Sequence, residues 1–371
     1  MNQAEKTRLV WLLGNGFNFA VNSFLSDDSI SDDIKKIIRL WDTFTELFED
    51  ICSKLGCSND EEAIQYIYTG IDIIKSIKPW AKIHTTNNFL DCVKLIERFI
   101  RNNIDQALYN IIFDFIKSEC NGIYKKLVNY LYKNDPNIWN ILDEANSVFF
   151  TTNYDGIGEM ILAYDPHGEQ HKIKYPDFFS YETCLSKEYG KFVCFNSSME
   201  ASNFLLHLHG SYKFFEYKSQ LIKLAHQGCE ELLKVFKNDE KKILQEYAPI
   251  IVFNAPNLKR SIITRNVILN FYFQLFRREL AGYNNVLIIW GQSLKNDPHL
   301  VDVILKNFDS LYKIIVIVPN PNQVIDILRE RDHNKVMQNT SKIIQISKER
   351  YSDFSKLSEL LQFILDQIWK I

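Results

Sequence analysis

Five short segments carry side chains able to do chemistry. The first is Gly14-Asn15-Gly16-Phe17-Asn18, behind the apolar run Leu9 to Leu13. Glycines after a strand let the backbone approach a pyrophosphate, and the N–H groups of a following helix supply donors. A hydride-transfer fingerprint needs a small residue where Phe19 stands, so this is not a dehydrogenase loop. A tight strand-to-helix turn without a ligand is the alternative. The second segment is Thr151-Thr152-Asn153-Tyr154-Asp155. Asn153 can hold a water or a ribose hydroxyl without adding charge; Asn153 or Asp155 can equally cap the next helix. The third is His207-Leu208-His209-Gly210-Ser211. On a strand, positions 207 and 209 share a face. The pair lacks evident further metal ligands. Imidazole titrates near neutral pH, which makes His209 a candidate general base, with a hydrogen-bonded structural histidine as the alternative. The fourth and fifth are Gly291-Gln292-Ser293-Leu294 and Val318-Pro319-Asn320. Gly291 permits close backbone approach. Ser293 and Asn320 can bond ribose or phosphate, and Asn320 also reads as a plain N-cap.

Each segment ends a short apolar run. Val286 to Trp290 and Ile314 to Val318 are continuous and β-branched, as strands covered on both faces are. Ile250 to Phe253 reads the same way. Val148 to Thr152 and Leu205 to Leu208 join them, and Ile343 to Ile346 forms a last edge strand. Helical spacing lies between: Val267, Phe271, Leu275 and Leu280 mark one helix, and Asp297-Pro298 and Asn320-Pro321 mark two helix starts. A final amphipathic helix begins at Ser352 or Asp353, with Leu357, Leu360, Leu361, Ile364 and Ile368 on one face. The expected fold class is α/β, a Rossmann-like parallel sheet flanked by helices. Residues 29–146 show helical periodicity only, in Ile34, Ile37, Ile38, Trp41, Phe44, Leu47 and Phe48, and again in Val93, Ile96, Ile100, Ile104, Leu108, Ile111 and Phe115. They read as a large helical insertion subdomain after the first strand. Residues 1–28 and 147–371 then form the nucleotide-binding domain, with 165–200 irregular and 216–246 helical. Ligands of open α/β sheets bind outside the carboxyl ends of the strands. One crevice therefore gathers Gly14, Asn15, Asn153, Asp155, His209, Ser293 and Asn320. That set is rich in neutral amides and suits a nucleotide held by backbone and hydroxyl contacts.

Composition narrows the class. The 371 residues are 46% hydrophobic and 24% charged, as in globular domains, while 13 Gly and 9 Pro are few breakers and favour helices. A net charge of −3 gives no overall field for a phosphate backbone, so direct nucleic-acid binding is not expected. No apolar run approaches the ~18 residues of a membrane span. Leu9 to Leu13 is interrupted too soon for a signal peptide, and a cytoplasmic protein is expected. Seven cysteines without a C-x-x-C pair indicate neither a disulfide framework nor a zinc site, only free thiols. Lys259, Arg260 and Arg265 form a basic patch for a dinucleotide phosphate or an acidic partner, or a solvated face.

Taken in order, Gly14-Asn15-Gly16-Phe17, Thr152-Asn153-Tyr154-Asp155, His207-Leu208-His209-Gly210, Gly291-Gln292-Ser293-Leu294 and Val318-Pro319-Asn320 resemble the sirtuin-like NADase domains of bacterial antiphage defence proteins. The opening Leu13-Gly14-Asn15-Gly16-Phe17 also resembles the AbiH-like abortive infection family, in which Asp is common where Asn18 stands. The resemblance implies an NAD+ glycohydrolase that releases nicotinamide and ADP-ribose, with Asn153 and His209 as the catalytic pair. Gly14, Asn15, Gly16, Phe17, Thr152, Asp155, Gly291, Ser293 and Asn320 would surround the dinucleotide. It implies no cofactor beyond NAD+ as substrate and no metal; the four-cysteine zinc module of deacetylating sirtuins is absent. A noncatalytic NAD or ADP-ribose sensor subunit and an NAD-dependent protein deacylase are the alternatives. A homo-oligomer, a HerA-type ATPase partner and no membrane contact complete the expectation, with the helical segment and the last helix as contact surfaces.

Overall fold

The computed structural model describes residues 7–46, 63, 69–70, 106–163, 175–180, 192–217, 220–224, 233, 247–252 and 256–369. The strands in chain order are β1 (Leu9–Leu13), β2 (Ser147–Thr151), β3 (Phe179–Ser180), β4 (Phe192–Phe195), β5 (Leu205–His207), β6 (Gly210–Tyr217), β7 (Gln220–Leu224), β8 (Tyr247–Ile251), β9 (Val286–Trp290), β10 (Lys313–Val318) and β11 (Ile343–Ser347). The helices are α1 (Asn15–Ser23), α2 (Asp28–Glu46), α3 (Gln106–Cys120), α4 (Ile123–Asn134), α5 (Asn137–Glu144), α6 (Ile157–Ala163), α7 (Pro256–Arg265), α8 (Val267–Ala281), α9 (Pro298–Lys306), α10 (Pro321–Arg331), α11 (His333–Gln338) and α12 (Leu357–Trp369). Among the described residues no helix is long and apolar enough to cross a membrane.

Six strands form one parallel sheet in the order β11-β10-β9-β1-β2-β5. The chain builds outward from β1 to β2 and β5, then crosses back and builds outward through β9, β10 and β11. This is the doubly wound order of Rossmann-type sheets, with its reversal between β1 and β9. Alternate residues divide two cores. Leu9, Trp11, Leu13, Phe149, Ile288 and Trp290 face one side, and Val10, Leu12, Phe150, Leu287 and Ile289 face the other. Both faces being covered explains the continuous apolar runs. The aromatic side stacks Trp11 on Phe149 at 5.6 Å, and the buried indole N–H of Trp11 finds Ser147 Oγ at 3.1 Å.

Apart from the helical positions 63, 69 and 70, the described parts of residues 29–146 lie in α2 to α5 and the residues that flank them. Their apolar faces, including Ile34, Leu108, Ile112, Phe115, Tyr124 and Val128, join the aromatic core of the sheet. The described part of the segment therefore shares one continuous apolar core with the sheet. Leu47, Phe48, Val93, Ile96, Ile100 and Ile104 lie outside the described residues. The last helix buries the expected face, although a 3-10 turn over Lys348–Asp353 delays its start to Leu357.

A second sheet corrects three expectations. It is antiparallel, in the order β3-β4-β7-β6-β8. The run at Ile250 is β8 of this sheet, paired antiparallel with β6, and not a strand of the parallel sheet. Pro249 cannot donate to a ladder, and β8 accordingly stands at an edge. The expected irregular stretch contains β3 and β4. Of the expected helix 216–246, residues 216–217 and 220–224 are a β-hairpin; 218–219, 225–232 and 234–246 lie outside the described residues. Cys194 on β4 is disulfide-bonded, against the expectation of free thiols, while Cys120 is free.

At the reversal point, backbone meets backbone. Gly14 N–H donates to Trp290 O at 2.8 Å, and Gly16 N–H to Gly291 O at 3.1 Å. A Cβ on Gly14 would lie 2.5 Å from Gly291 O, and one on Gly16 would lie 2.6 Å from Gly291 Cα. Gly291 has φ +73°, and a Cβ there would run into Phe17 N. The glycines are thus required by the seam between the β1–α1 and β9–α9 loops. Gly291→Ala should destabilise the protein by about 2 kcal/mol or more through a clash and a left-handed backbone. Gly158→Ala, whose Cβ would meet Phe17 Cε1 at 3.8 Å and Leu13 Cδ1 at 4.0 Å, both ordinary contacts, should be close to neutral. Thermal unfolding of both variants tests this; equal melting temperatures would contradict it.

Candidate functional site at the strand ends

Pairing levels the ends of five strands. Leu13 lies opposite Thr151 and Trp290, Thr151 opposite His207, and Trp290 opposite Ile317. Two residues beyond this row stand Asn15, Asn153 and His209; three beyond stand Ser293 and Asn320. Four inter-strand steps span roughly 19 Å, the reach of a dinucleotide rather than of a single small group. The segments read from sequence therefore do meet along one edge.

Within that edge the residues divide. Asn15, Ser293 and Asn320 are exposed and Asn153 is half-buried, so these four make a rim. Asn153 N–H donates to Thr151 Oγ1 at 3.0 Å, and its side-chain amide has no hydrogen-bond partner among the described residues. Asn320 occupies the N-cap of α10 but makes no side-chain cap bond. Ser293 precedes Leu294, a non-glycine residue at φ +60° whose buried side chain pins a strained turn. Other predicted residues turn inward. Phe17 is buried with its ring edge-on to Trp290 at 5.1 Å. Thr152 is buried, and its N–H donates to Leu13 O at 3.0 Å. Asp155 takes the capping alternative: its carboxylate accepts from Ile157 N–H at 2.9 Å and from Asn18 Nδ2 at 2.7 Å. Burial raises its pKa, against the lowering by these bonds.

His209 lies beneath the rim, 2% exposed. Its Nε2 is 3.2 Å from His299 Nε2 and 3.4 Å from Asp297 Oδ1. Asp297 heads α9 without capping it, because its carboxylate accepts from Lys259 Nζ at 2.7 Å and from Gln292 Nε2 at 2.7 Å. Lys259 therefore leaves the expected surface patch for a buried ion pair, while Arg260 and Arg265 remain exposed. Burial, reinforced by the Lys259 ammonium, pushes His209 well below the usual imidazole range. Burial likewise holds His299 at about 4. Burial works to raise Asp297, but His209 and Lys259 outweigh it and the carboxyl sits below its ordinary value. The result is a neutral imidazole beside a carboxylate, able to accept a proton, although the burial that keeps it neutral also makes it a weaker base than a free imidazole. His209, Asp297 and His299 are also ligands by type, with donor atoms within 4.8 Å of one another. Lys259 already neutralises that carboxylate, which works against a second cation there.

His207 and His209 part company. β5 ends at His207, and the chain turns through Leu208 and His209 into Gly210 at φ +84°. Strand alternation no longer applies, so the shared face expected for the pair is not found. His207 instead places Nδ1 3.0 Å from Asn153 O and Nε2 3.7 Å from Glu159 Oε2. Glu159 accepts from Lys223 Nζ at 2.6 Å, and Lys223 also binds Asp177. Lys213 Nζ lies 3.7 Å from Glu159 and donates to Glu119 Oε1 of α3 at 3.0 Å. Burial works to raise Glu159, yet Lys213 and Lys223 hold it well below the usual range. None of these charged partners was singled out from sequence. Asp297-Pro298 reads as a helix cap in the sequence, yet Asp297-Pro298-His299 stands four residues after Ser293 of the Gly291-Gln292-Ser293 turn, and that proximity is the sequence signal for these two partners.

A family model described as a domain of unknown function, DUF4917, matches residues 11–344. No curated protein matches the chain.

The buried histidines make stability depend on pH. The folded state keeps His299 neutral down to about 4, whereas an unfolded imidazole protonates near 6.5. Between those values the unfolded chain binds more protons, so stability is full above about 6.5 and falls as the pH drops toward 4. His299 alone accounts for up to roughly 3 kcal/mol of that fall. Urea unfolding from pH 7 to 4.5 should show a shallower decline in His299→Gln than in the parent protein. Identical slopes would contradict this account of the cluster.

Proposed function

This chain belongs to the DUF4917 family, and we propose that it is an NAD+ glycohydrolase acting as an effector of bacterial antiphage defence. One observation carries the reading: strands that end level deliver the uncharged residues Asn15, Asn153, Ser293 and Asn320, three of them exposed and Asn153 half-buried, to the same edge as a buried imidazole, His209, that burial keeps neutral. A dinucleotide along that edge brings its own negative charge, and the rim adds none. The N-glycosidic bond to nicotinamide breaks with its electron pair leaving on nicotinamide. The ribose becomes oxocarbenium-like, and a water oxygen bonds to the anomeric carbon. Asn153 orients that water or the ribose hydroxyls, and His209 accepts the released proton. ADP-ribose is the second product.

The reading places the chain in the cytoplasm with the NAD+ pool, though the Cys194 disulfide argues the other way, since such bridges are rare in reducing compartments. An effector that consumes NAD+ must be held silent. Self-association or a HerA-type ATPase partner supplies that control in this proposal. A noncatalytic NAD or ADP-ribose sensor is the second reading. It draws support from the burial of His209 and from the Gly16 amide, which Gly291 O already occupies.

Purified protein incubated with NAD+ should release nicotinamide. Asn153→Ala and His209→Ala should each lower that release by about 100-fold or more. Asn153→Ala should keep the parent melting temperature, because its side chain has no hydrogen-bond partner among the described residues. Full turnover in both variants would overturn the assignment. Saturable NAD+ binding without consumption by the parent protein would favour the sensor.

A further inference from the structure

We infer that His207 is a positioning residue for Asn153, and that it ties the proposed centre to helix α3 through Glu159, Lys213 and Glu119. The inference rests on the reading of Asn153 as part of the reacting centre. A backbone carbonyl can only accept, so the 3.0 Å contact with Asn153 O makes His207 Nδ1 the protonated nitrogen. The N–H of Asn153 is held from the other side by Thr151 Oγ1 at 3.0 Å. Both peptide groups flanking the Asn153 Cα are therefore clamped. The side-chain amide between them has no hydrogen-bond partner among the described residues. A residue fixed by its backbone while its functional group stays open is built to present that group to a ligand.

The clamp is itself held. The His207 ring lies edge-on to Phe214 at 5.5 Å, and its Nε2 is buried 3.7 Å from Glu159 Oε2. Neither of those two atoms has a hydrogen-bond partner among the described residues. Glu159 is braced by Lys213 and Lys223, and Lys213 by Glu119, whose other oxygen accepts from Tyr212 OH at 2.5 Å. The Glu119 and Lys213 side chains are almost wholly buried and Glu159 is 15% exposed. In so dry a setting, displacing one charge strands its neighbours. Movement of α3 is thus transmitted to the carbonyl of Asn153 without contact with any ligand.

Three substitutions separate positioning from packing. His207→Asn places an amide nitrogen where Nδ1 was. His207→Gln places it near Nε2, and His207→Phe keeps the ring volume beside Phe214. His207→Phe and His207→Gln should lower kcat by about 100-fold with KM within about threefold, the cost of misplacing a reacting group. His207→Asn should recover to within about tenfold of the parent. A parent-like kcat in His207→Phe, or a His207→Asn no better than His207→Phe, would overturn the inference. Amide hydrogen exchange at Tyr154 and Asp155 reads the clamp without any turnover. It should quicken in His207→Phe and in Glu119→Gln and return to the parent rate in His207→Asn. Unchanged exchange in His207→Phe would overturn the clamp, and unchanged exchange in Glu119→Gln would overturn the link to α3. If the parent protein releases no nicotinamide yet exchange follows this pattern, the glycohydrolase reading fails while the role of His207 in holding residue 153 stands.

Discussion

Backbone pairing sets this site before any side chain contributes. Parallel strands paired in level register must end together, and here Leu13, Thr151, His207, Trp290 and Ile317 stand in one row. Whatever follows each strand by two or three residues is delivered to the same edge. The seam of Gly14, Gly16 and Gly291 locks the middle of that row at the reversal point, where doubly wound sheets bind their ligands. Had any of the three carried a Cβ, the β1–α1 and β9–α9 loops would have to separate and the row would lose its level.

Charge is layered on this scaffold. The four rim residues are neutral, and buried charge pairs lie beneath them: Asp297 with Lys259, and Glu159 with Lys213 and Lys223. Buried pairs of this kind add little net stability, but losing one partner is costly. Their consequence is geometric. One group sets the surroundings of His209, and the other sets the backbone of Asn153 through His207.

Sequence patterning reaches local features and stops at partners. The continuous runs of β1, β2, β9 and β10 identify buried parallel strands, and the residue types that follow them identify the rim. Ile250 misleads because a short apolar run carries no information about which sheet it joins; Pro249 was the one local sign of an edge. The β6–β7 hairpin was hidden because its residues also fit a helix at low resolution of pattern. Lys259 looks like surface charge until Asp297, 38 residues on, is brought beside it. The glycines were read as a ligand cradle, whereas their immediate partners are each other. In every case the missing information is a contact distant along the chain.

The most direct test is a crystal structure of the Asn153→Ala protein with NAD+. The account predicts one NAD+ lying along the strand ends, within hydrogen-bond distance of Ser293 and Asn320 and with its nicotinamide ribose above His209. NAD+ bound on another face, or crystals that stay empty at saturating NAD+, would contradict it.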